Sequence, residues 1–155
     1  MKKLTVATDR FSKFALDSNL IEGEKFFTSM QAEAVLFTFT SNRLSLSDIL
    51  IMHELCGKHI EEHWVGKFRD CNVSVGSYTA PPPNNVPQLM RVFVRDLRDM
   101  SSWQAHNRFE KIHPFEDLNG RIGRLIWLHK AVTEGYNFKL SFLHAYYYQT
   151  LNNFK

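Results

Sequence analysis

The sequence is short of the features that mark specialised chains. Two cysteines, Cys56 and Cys71, in 155 residues are too few for a disulfide framework, so a reducing, cytoplasmic setting is expected. No apolar run approaches the ~18 residues that suggest a membrane span, and no membrane partner is expected. The N-terminal stretch MKKLTVATDRFSKFALD begins like a signal peptide, but Asp9, Arg10 and Lys13 interrupt its apolar residues, which argues against one. Charge of one sign is scarce: 19 Lys and Arg against 16 Asp and Glu leave a net +3 with no like-charged block, so nucleic acid is not an expected partner. Internal repeats and low-complexity tracts are absent. Phenylalanine is abundant instead. Thirteen of them suit an aromatic core, and the length suits one domain over residues 1–155.

Apolar periodicity predicts an all-α bundle with one small β excursion. Phe26, Phe27, Met30, Ala34, Leu36 and Phe37 predict a helix from Glu24 to Phe39. Ser45 to Asp48 offer capping residues for a second helix carrying Ile49, Leu50, Met52, Leu55 and Ile60, ending near Trp64 before Gly66. Val73 and Val75 alternate with Asn72, Ser74 and Gly76, which predicts a short strand. Pro81, Pro82 and Pro83 with Asn84 and Asn85 make a stiff loop. Further helices are expected over Val86 to Met100, over Ser101 to Ile112, from Gly120 or Arg121 to Glu134 with Gly135 as stop, and over Phe138 to Leu151.

The segment HPFEDLNGRIGR, His113 to Arg124, carries the chemistry. His113 is expected at a helix end, its backbone held extended by Pro114. A new helix then opens, and its first turn presents free amide donors and a positive dipole end suited to phosphate. Gly120 permits close backbone approach, and Asn119 can add a side-chain donor. Arg121 and Arg124, three apart, could clamp a di- or triphosphate with two guanidinium forks. Asp117 is a hard oxygen ligand suited to Mg2+, which takes one or two carboxylates plus substrate phosphates. His113, with a reference pKa of about 6.5, can take a proton from a hydroxyl as it attacks phosphorus. Each residue alone would read as core or solvated face. The set in twelve positions reads as a phosphoryl-transfer site, with Phe115 pointing into the core.

The segment resembles the motif of the Fic family, HPFx-(Asp or Glu)-Gly-Asn-Gly-Arg-x-x-Arg. The resemblance spreads to Ala105-His106 and Phe109 to Ile112, to GKFRDCNVSV (Gly66 to Val75), similar to the family's Gly-x-x-Arg segment and flap strand, to PPPNNVPQLM, and to Tyr146 to Leu151. It implies a small helical bundle with a β-hairpin flap and a nucleotidyltransferase that moves AMP from ATP, with Mg2+, onto a Tyr, Ser or Thr hydroxyl of a target protein. On matching positions, His113 would be the general base and Asp117 the Mg2+ ligand. Asn119 and Gly120 would form the anion hole, and Arg121 and Arg124 would hold phosphates. Cys71, Asn72, Val73, Ser74 and Val75 would be the flap that docks the target by strand addition. One departure is Leu118, where the family usually has glycine. Leucine would add bulk beside the cradle and resists positive φ.

Ser18 to Gly23, SNLIEG, resembles the family's inhibitory motif, (Ser or Thr)-x-x-x-Glu-(Gly or Asn). It implies that Glu22 pairs with Arg124, removes a phosphate ligand and misaligns the α-phosphate for in-line attack. Residues 1–23 would then be an inhibitory segment on a core of residues 24–155, and two-fold assembly into a homodimer could bury it. The same resemblance allows the reverse reaction, AMP removal, with Glu22 aligning a water. A non-catalytic binding module, its cradle spoiled by Leu118, is a third reading.

A competing pattern is His59-Ile60-Glu61-Glu62-His63, which matches the inverted zincin motif H-x-x-E-H. On one helix the two histidines would suit zinc. Three specified residues carry little weight, and a polar helix face is the expected reading. Arg91, Arg95 and Arg98, interleaved with Asp96 and Asp99, are expected to form a solvated face.

Overall fold

The computed structural model describes residues 2–23, 33–35, 37–60 and 62–135. In chain order these form α1 (Lys2–Ile21), α2 (Leu46–Gly57), a hairpin of β1 (Ser74–Val75) and β2 (Tyr78–Thr79), α3 (Val86–Asp96), α4 (Ser102–Ile112) and α5 (Asn119–Thr133). Short 3-10 turns, Pro83–Asn85 and Leu97–Asp99, flank α3. The expected helical bundle with a small β-hairpin is the observed architecture.

Local chemistry sets most of the boundaries. Ser45 and Asp48 close a capping box at α2: the Asp48 N–H donates to Ser45 Oγ at 3.2 Å, and the Ser45 N–H donates to Asp48 Oδ2 at 2.7 Å. Ser101 and Gln104 repeat the device at α4. Gly135, at φ +78, follows the end of α5 as expected. Residues 33–35 and 37 are helical within the expected first helix and Thr38 and Phe39 form a turn; residues 24–32 and 36, and the expected last helix, lie outside the described residues.

Helix α2 is shorter than its periodicity predicts. It ends at Gly57, not near Trp64. The chain folds back so that a Cβ at Gly57 would lie 3.1 Å from Val65 Cγ1 and 3.2 Å from Leu118 Cδ1. The missing side chain lets this packing outcompete continued helix. His59 and His63 therefore sit on exposed turns and not on one helical face. The zincin geometry is not formed.

Helix α5 is the centre of the bundle and packs most extensively on α4. Phe93, Phe109 and Phe115, with Met52, Met90, Ile122 and Ile126, are fully buried around it, with Phe93 and Phe109 ring centroids 5.9 Å apart. Each such side chain contributes about 2–3 kcal/mol of burial. Helix α1 lays Phe14, Ala15, Ser18 and Ile21 against this core, a spacing that forms one face of a helix. The basic stripe on α3 is solvated as expected, with Arg95 Nε 2.8 Å from Asp96 Oδ1. Among the described residues no helix is long and apolar enough to cross a membrane.

Candidate active site

His113 terminates α4 in a left-handed conformation, φ 49 and ψ 61, not the extended one expected before proline. Proline disfavours right-handed helical angles in its predecessor, and here the chain escapes by reversing hand. Three contacts hold the strained turn. The His113 N–H donates to Phe109 O at 2.9 Å, its carbonyl accepts from Arg69 Nε at 2.7 Å, and its ring Nδ1 lies 3.3 Å from Glu110 O. Burial pulls the His113 pKa below its usual value, with the Glu110 carbonyl opposing and the Arg69 charge reinforcing the shift.

The loop after His113 is closed by Asn119. The Phe115 N–H donates to Asn119 Oδ1 at 2.9 Å, and Asn119 Nδ2 donates to Phe115 O at 2.8 Å. The buried amide is thus spent inside the loop, and the expected side-chain donor to an anion is not available; the helix's first-turn N–H groups remain for that task. Phe115 stacks on His53 with centroids 3.8 Å apart. His53 accepts the Gly66 N–H at Nδ1, 2.9 Å, so its Nε2 carries the proton and donates to Asp117 O at 3.2 Å. Burial pushes the His53 pKa down to about 4. Sequence reasoning missed this residue, which ties α2 to both loops.

Leu118 adopts φ 65 and ψ 7 as the residue before α5. The position does use the left-handed region that glycine favours. Its side chain is nevertheless buried and contacts the Gly57 turn, so the expected bulk beside the cradle goes into the core instead. Left-handed backbone costs roughly 1–2 kcal/mol, which burying a leucine, about 2–3 kcal/mol, more than offsets.

Arg124 is fully buried. Its Nε donates to Ser18 Oγ at 2.7 Å, and its Nη2 donates to Ser18 O at 3.0 Å and Glu22 Oε1 at 2.7 Å. The Glu22 carboxylate also covers the first turn of α5: a Cβ at Gly120 would collide with Glu22 Oε1. The carboxylate therefore occupies the place where a helix N-terminus favours an anion. Arg121 is half-buried and lines a small cavity with Phe14, Ser18 and Cys56. Burial pushes the Cys56 thiol up to about 12, which keeps it protonated.

Asp117 is exposed, and its Oδ1 accepts the Leu118 N–H at 2.6 Å. Among the described residues that is the engaged oxygen, so a second remains for a hard cation, and one carboxylate beside a phosphate cradle fits Mg2+. Asp70, Cys71 and Glu116 form a separate, solvent-facing group with ligand-type atoms within 4.8 Å of one another.

The flap is anchored by Arg69, a residue the Gly-x-x-Arg resemblance included without giving it a task. Besides His113 O, its guanidinium donates to Cys71 O at 2.8 Å and to Pro81 O at 2.6 Å. Tyr78 Oη donates to Lys111 O at 3.1 Å. Ser74 pairs with Thr79 and Val75 with Tyr78, and all four are exposed. Cys71 and Val73 are half-buried and Asn72 is exposed. The structure thus brings His113, Asp117, Gly120 and the pair Glu22–Arg124 to one end of α5, with the flap fastened beside them.

The Fic/DOC family model matches residues 43–129. A probable protein adenylyltransferase of Aquifex aeolicus is 25% identical over 140 residues, covering 81% of this chain and 43% of its own length. A protein adenylyltransferase Fic of Aedes aegypti is 31% identical over 102 residues, covering 60% of this chain and 20% of its own. The chain thus spans less than half the length of these curated relatives. Among solved structures, a Fic-domain signalling protein from Bacteroides thetaiotaomicron superposes with a TM-score of 0.77 at 19% identity, over 97% of this chain and 73% of that one. Fic-1 of C. elegans gives 0.75 at 18% identity, over 99% and 57%.

Proposed function

The chain belongs to the Fic/DOC family, and on that premise we propose that its site transfers AMP from ATP to a Tyr, Ser or Thr hydroxyl of a target protein, restrained by its own α1. The attacking oxygen bonds to the α-phosphorus, the bond from that phosphorus to the bridging oxygen breaks, and pyrophosphate leaves. The hydroxyl proton passes to Nε2 of His113, the ring nitrogen not directed at the Glu110 carbonyl. Gly120 and the backbone of Asn119 cradle phosphate at the start of α5, and Arg121 and Arg124 hold the remaining phosphates. Mg2+, held by Asp117, would neutralise phosphate charge. The exposed hairpin docks the target by strand addition.

The observation that carries the reading is the engagement of Arg124 Nε and Nη2 by Ser18 and Glu22. A buried arginine facing a phosphate cradle, satisfied by a carboxylate from another element, is a ligand-binding group held by an internal substitute. In this conformation Arg124 is held by α1 and not by a phosphate, so transfer requires the end of α1 to withdraw. Residues 1–155 then act as one unit, an inhibitory segment on a catalytic core.

The test is intact mass after incubation of Glu22→Gly protein with ATP and magnesium, beside the same protein carrying His113→Ala. One added AMP that requires His113 is the expected result. No adduct with any nucleoside triphosphate, with or without candidate target proteins, contradicts transfer.

A further inference from the structure

Glu110 is a largely enclosed acid, its side chain 13% exposed, that the reaction above does not use. It stands on α4, three residues before His113, with Oε2 3.7 Å from His113 Nδ1. Its Oε1 is enclosed and accepts no hydrogen bond among the described residues. The facing residue on α5 is Gly123, where a Cβ would collide with Glu110 Oε1 and lie 3.0 Å from His106 Nδ1. Glycine weakens a helix interior, yet here it leaves the space that the carboxyl occupies. The groups facing that carboxyl are His113 and His106 from α4, Arg124 from α5 and Glu22 from the turn after α1. Burial pushes Glu110 up to about 7, Arg124 pulls it down and Glu22 pushes it up.

We propose that Glu110 is a positioning residue for His113: seated in the gap left by Gly123, its carboxylate faces the Nδ1 edge of the imidazole, holds the proton there and leaves Nε2 as the proton acceptor. When the hydroxyl proton arrives at Nε2, the ring becomes a cation and the carboxylate beside it stabilises that charge. The backbone carbonyl of the same residue fixes the ring's direction, and the carboxylate adds the charge the carbonyl lacks. Charge couples this pair to the restraint: Arg124 and Glu22, themselves paired at 2.7 Å, pull the carboxyl in opposite directions. Withdrawal of Glu22 removes one negative neighbour and favours ionised Glu110, which makes the base competent as the cradle opens. The role as base rests on the transfer reaction proposed above, but the ring's protonation state can be read without it.

The experiment is nitrogen-15 NMR of the histidine rings in the full chain, with the His113 signal assigned by its loss in His113→Ala. Glu110→Gln keeps the shape and removes the charge. Gly123→Ala displaces the carboxyl without altering it. Above pH 7, where Glu110 is ionised, the expected result is an Nδ1–H tautomer in the parent, and in both variants a mixed tautomer with a lower ring pKa. In a Glu22→Gly background, kcat for AMP transfer falls on the order of tenfold to a hundredfold in Glu110→Gln, a share of what a general base supplies. KM for ATP stays unchanged, the acid limb of the pH profile shifts down to that of His113 alone, and Glu110→Asp restores part of the rate. An unchanged ring spectrum in both variants, with each still giving a cooperative melt, overturns the proposal; a ring fixed by the carbonyl alone behaves so. If the ring responds but no variant transfers AMP, the reaction proposed above fails and the positioning stands.

Discussion

Glu22 Oε1 and Arg124 Nη2 meet at 2.7 Å although 102 positions separate them in the chain. The arginine has no exposed side-chain surface and the glutamate about a third, 36%. A charged guanidinium taken fully out of water must be paired and hydrogen-bonded. Ser18 and Glu22 provide that pairing, so the contacts that dock α1 are made on the arginine that the proposed reaction needs for phosphate.

Breaking this pair is expected to release transfer. A hydrogen bond to a charged group is worth about 1.5–3 kcal/mol, and the partial exposure of Glu22 places it at the lower end. Glu22→Gly should therefore raise the initial rate of self-modification on the order of tenfold, and Ser18→Ala should raise it less, because the Ser18 carbonyl still accepts from Arg124. Quantitative intact-mass time courses at equal ATP and magnesium measure both. Equal rates in parent and Glu22→Gly would remove the restraint from this account.

Arg69 should be indispensable to the site's shape. Its buried guanidinium satisfies carbonyls of His113, Cys71, Pro81 and Ile112. Lysine supplies a point charge and no fork, so Arg69→Lys leaves at least one carbonyl unpaired at roughly 1–3 kcal/mol each. A loss of about 3 kcal/mol in urea unfolding is expected, with faster amide exchange across the flap. A variant as stable as the parent would show that water replaces the fork at no cost.

Leu118→Gly separates two effects of opposite sign. Relief of left-handed strain gains roughly 1–2 kcal/mol, while losing a buried leucine and leaving a cavity costs roughly 3–5 kcal/mol. Packing should win, and the variant should be less stable by about 2 kcal/mol, with AMP transfer in the Glu22→Gly background within about threefold of its parent. A large gain in ATP binding without loss of stability would mean that the leucine crowds the cradle after all.

Stability should rise with pH between about 4.5 and 6.5. Burial holds His53 and His106 near 4 in the folded chain, so in this window the unfolded chain binds two more protons at these positions. Glu110, raised to about 7, works oppositely, because the folded chain keeps its proton and the unfolded chain loses it. The net is one proton, a slope of roughly 1 kcal/mol per pH unit from these three groups, and His113, lowered in the same sense as the other histidines, adds to it. Glu110→Gln removes the opposing proton and should steepen the slope. Urea unfolding at several pH values measures both, and a slope unaltered by that substitution would place Glu110 in a more polar setting than its burial indicates.

Most of the site could be read in the sequence because its residues are neighbours in the chain. His113, Asp117, Gly120, Arg121 and Arg124 span twelve positions on a loop and one helical turn, so local geometry alone brings them together. The side-chain cap at Ser45 was equally legible, since it closes on Asp48 three residues away. Periodicity failed at α2, where apolar residues continue past Gly57 but the chain folds back on that glycine. It failed again at His113, where the proline rule names a conformation to avoid and the Arg69 contact selects the replacement. Asn119 looked like a free donor because nothing in its sequence context reveals that Phe115 uses both ends of its amide.

By itself, then, the sequence determined the helical class, the motif and the candidate pair Glu22–Arg124, since these depend on residue type, short spacing and resemblance. Only the tertiary structure decided that Leu118 turns inward, that Arg69 fastens the flap to the motif, and that Glu110 lies against His113 in the space left by Gly123. Those facts depend on which surfaces meet across helices. Hydrophobic burial fixes that meeting for the whole bundle at once, and no local run of residues specifies it.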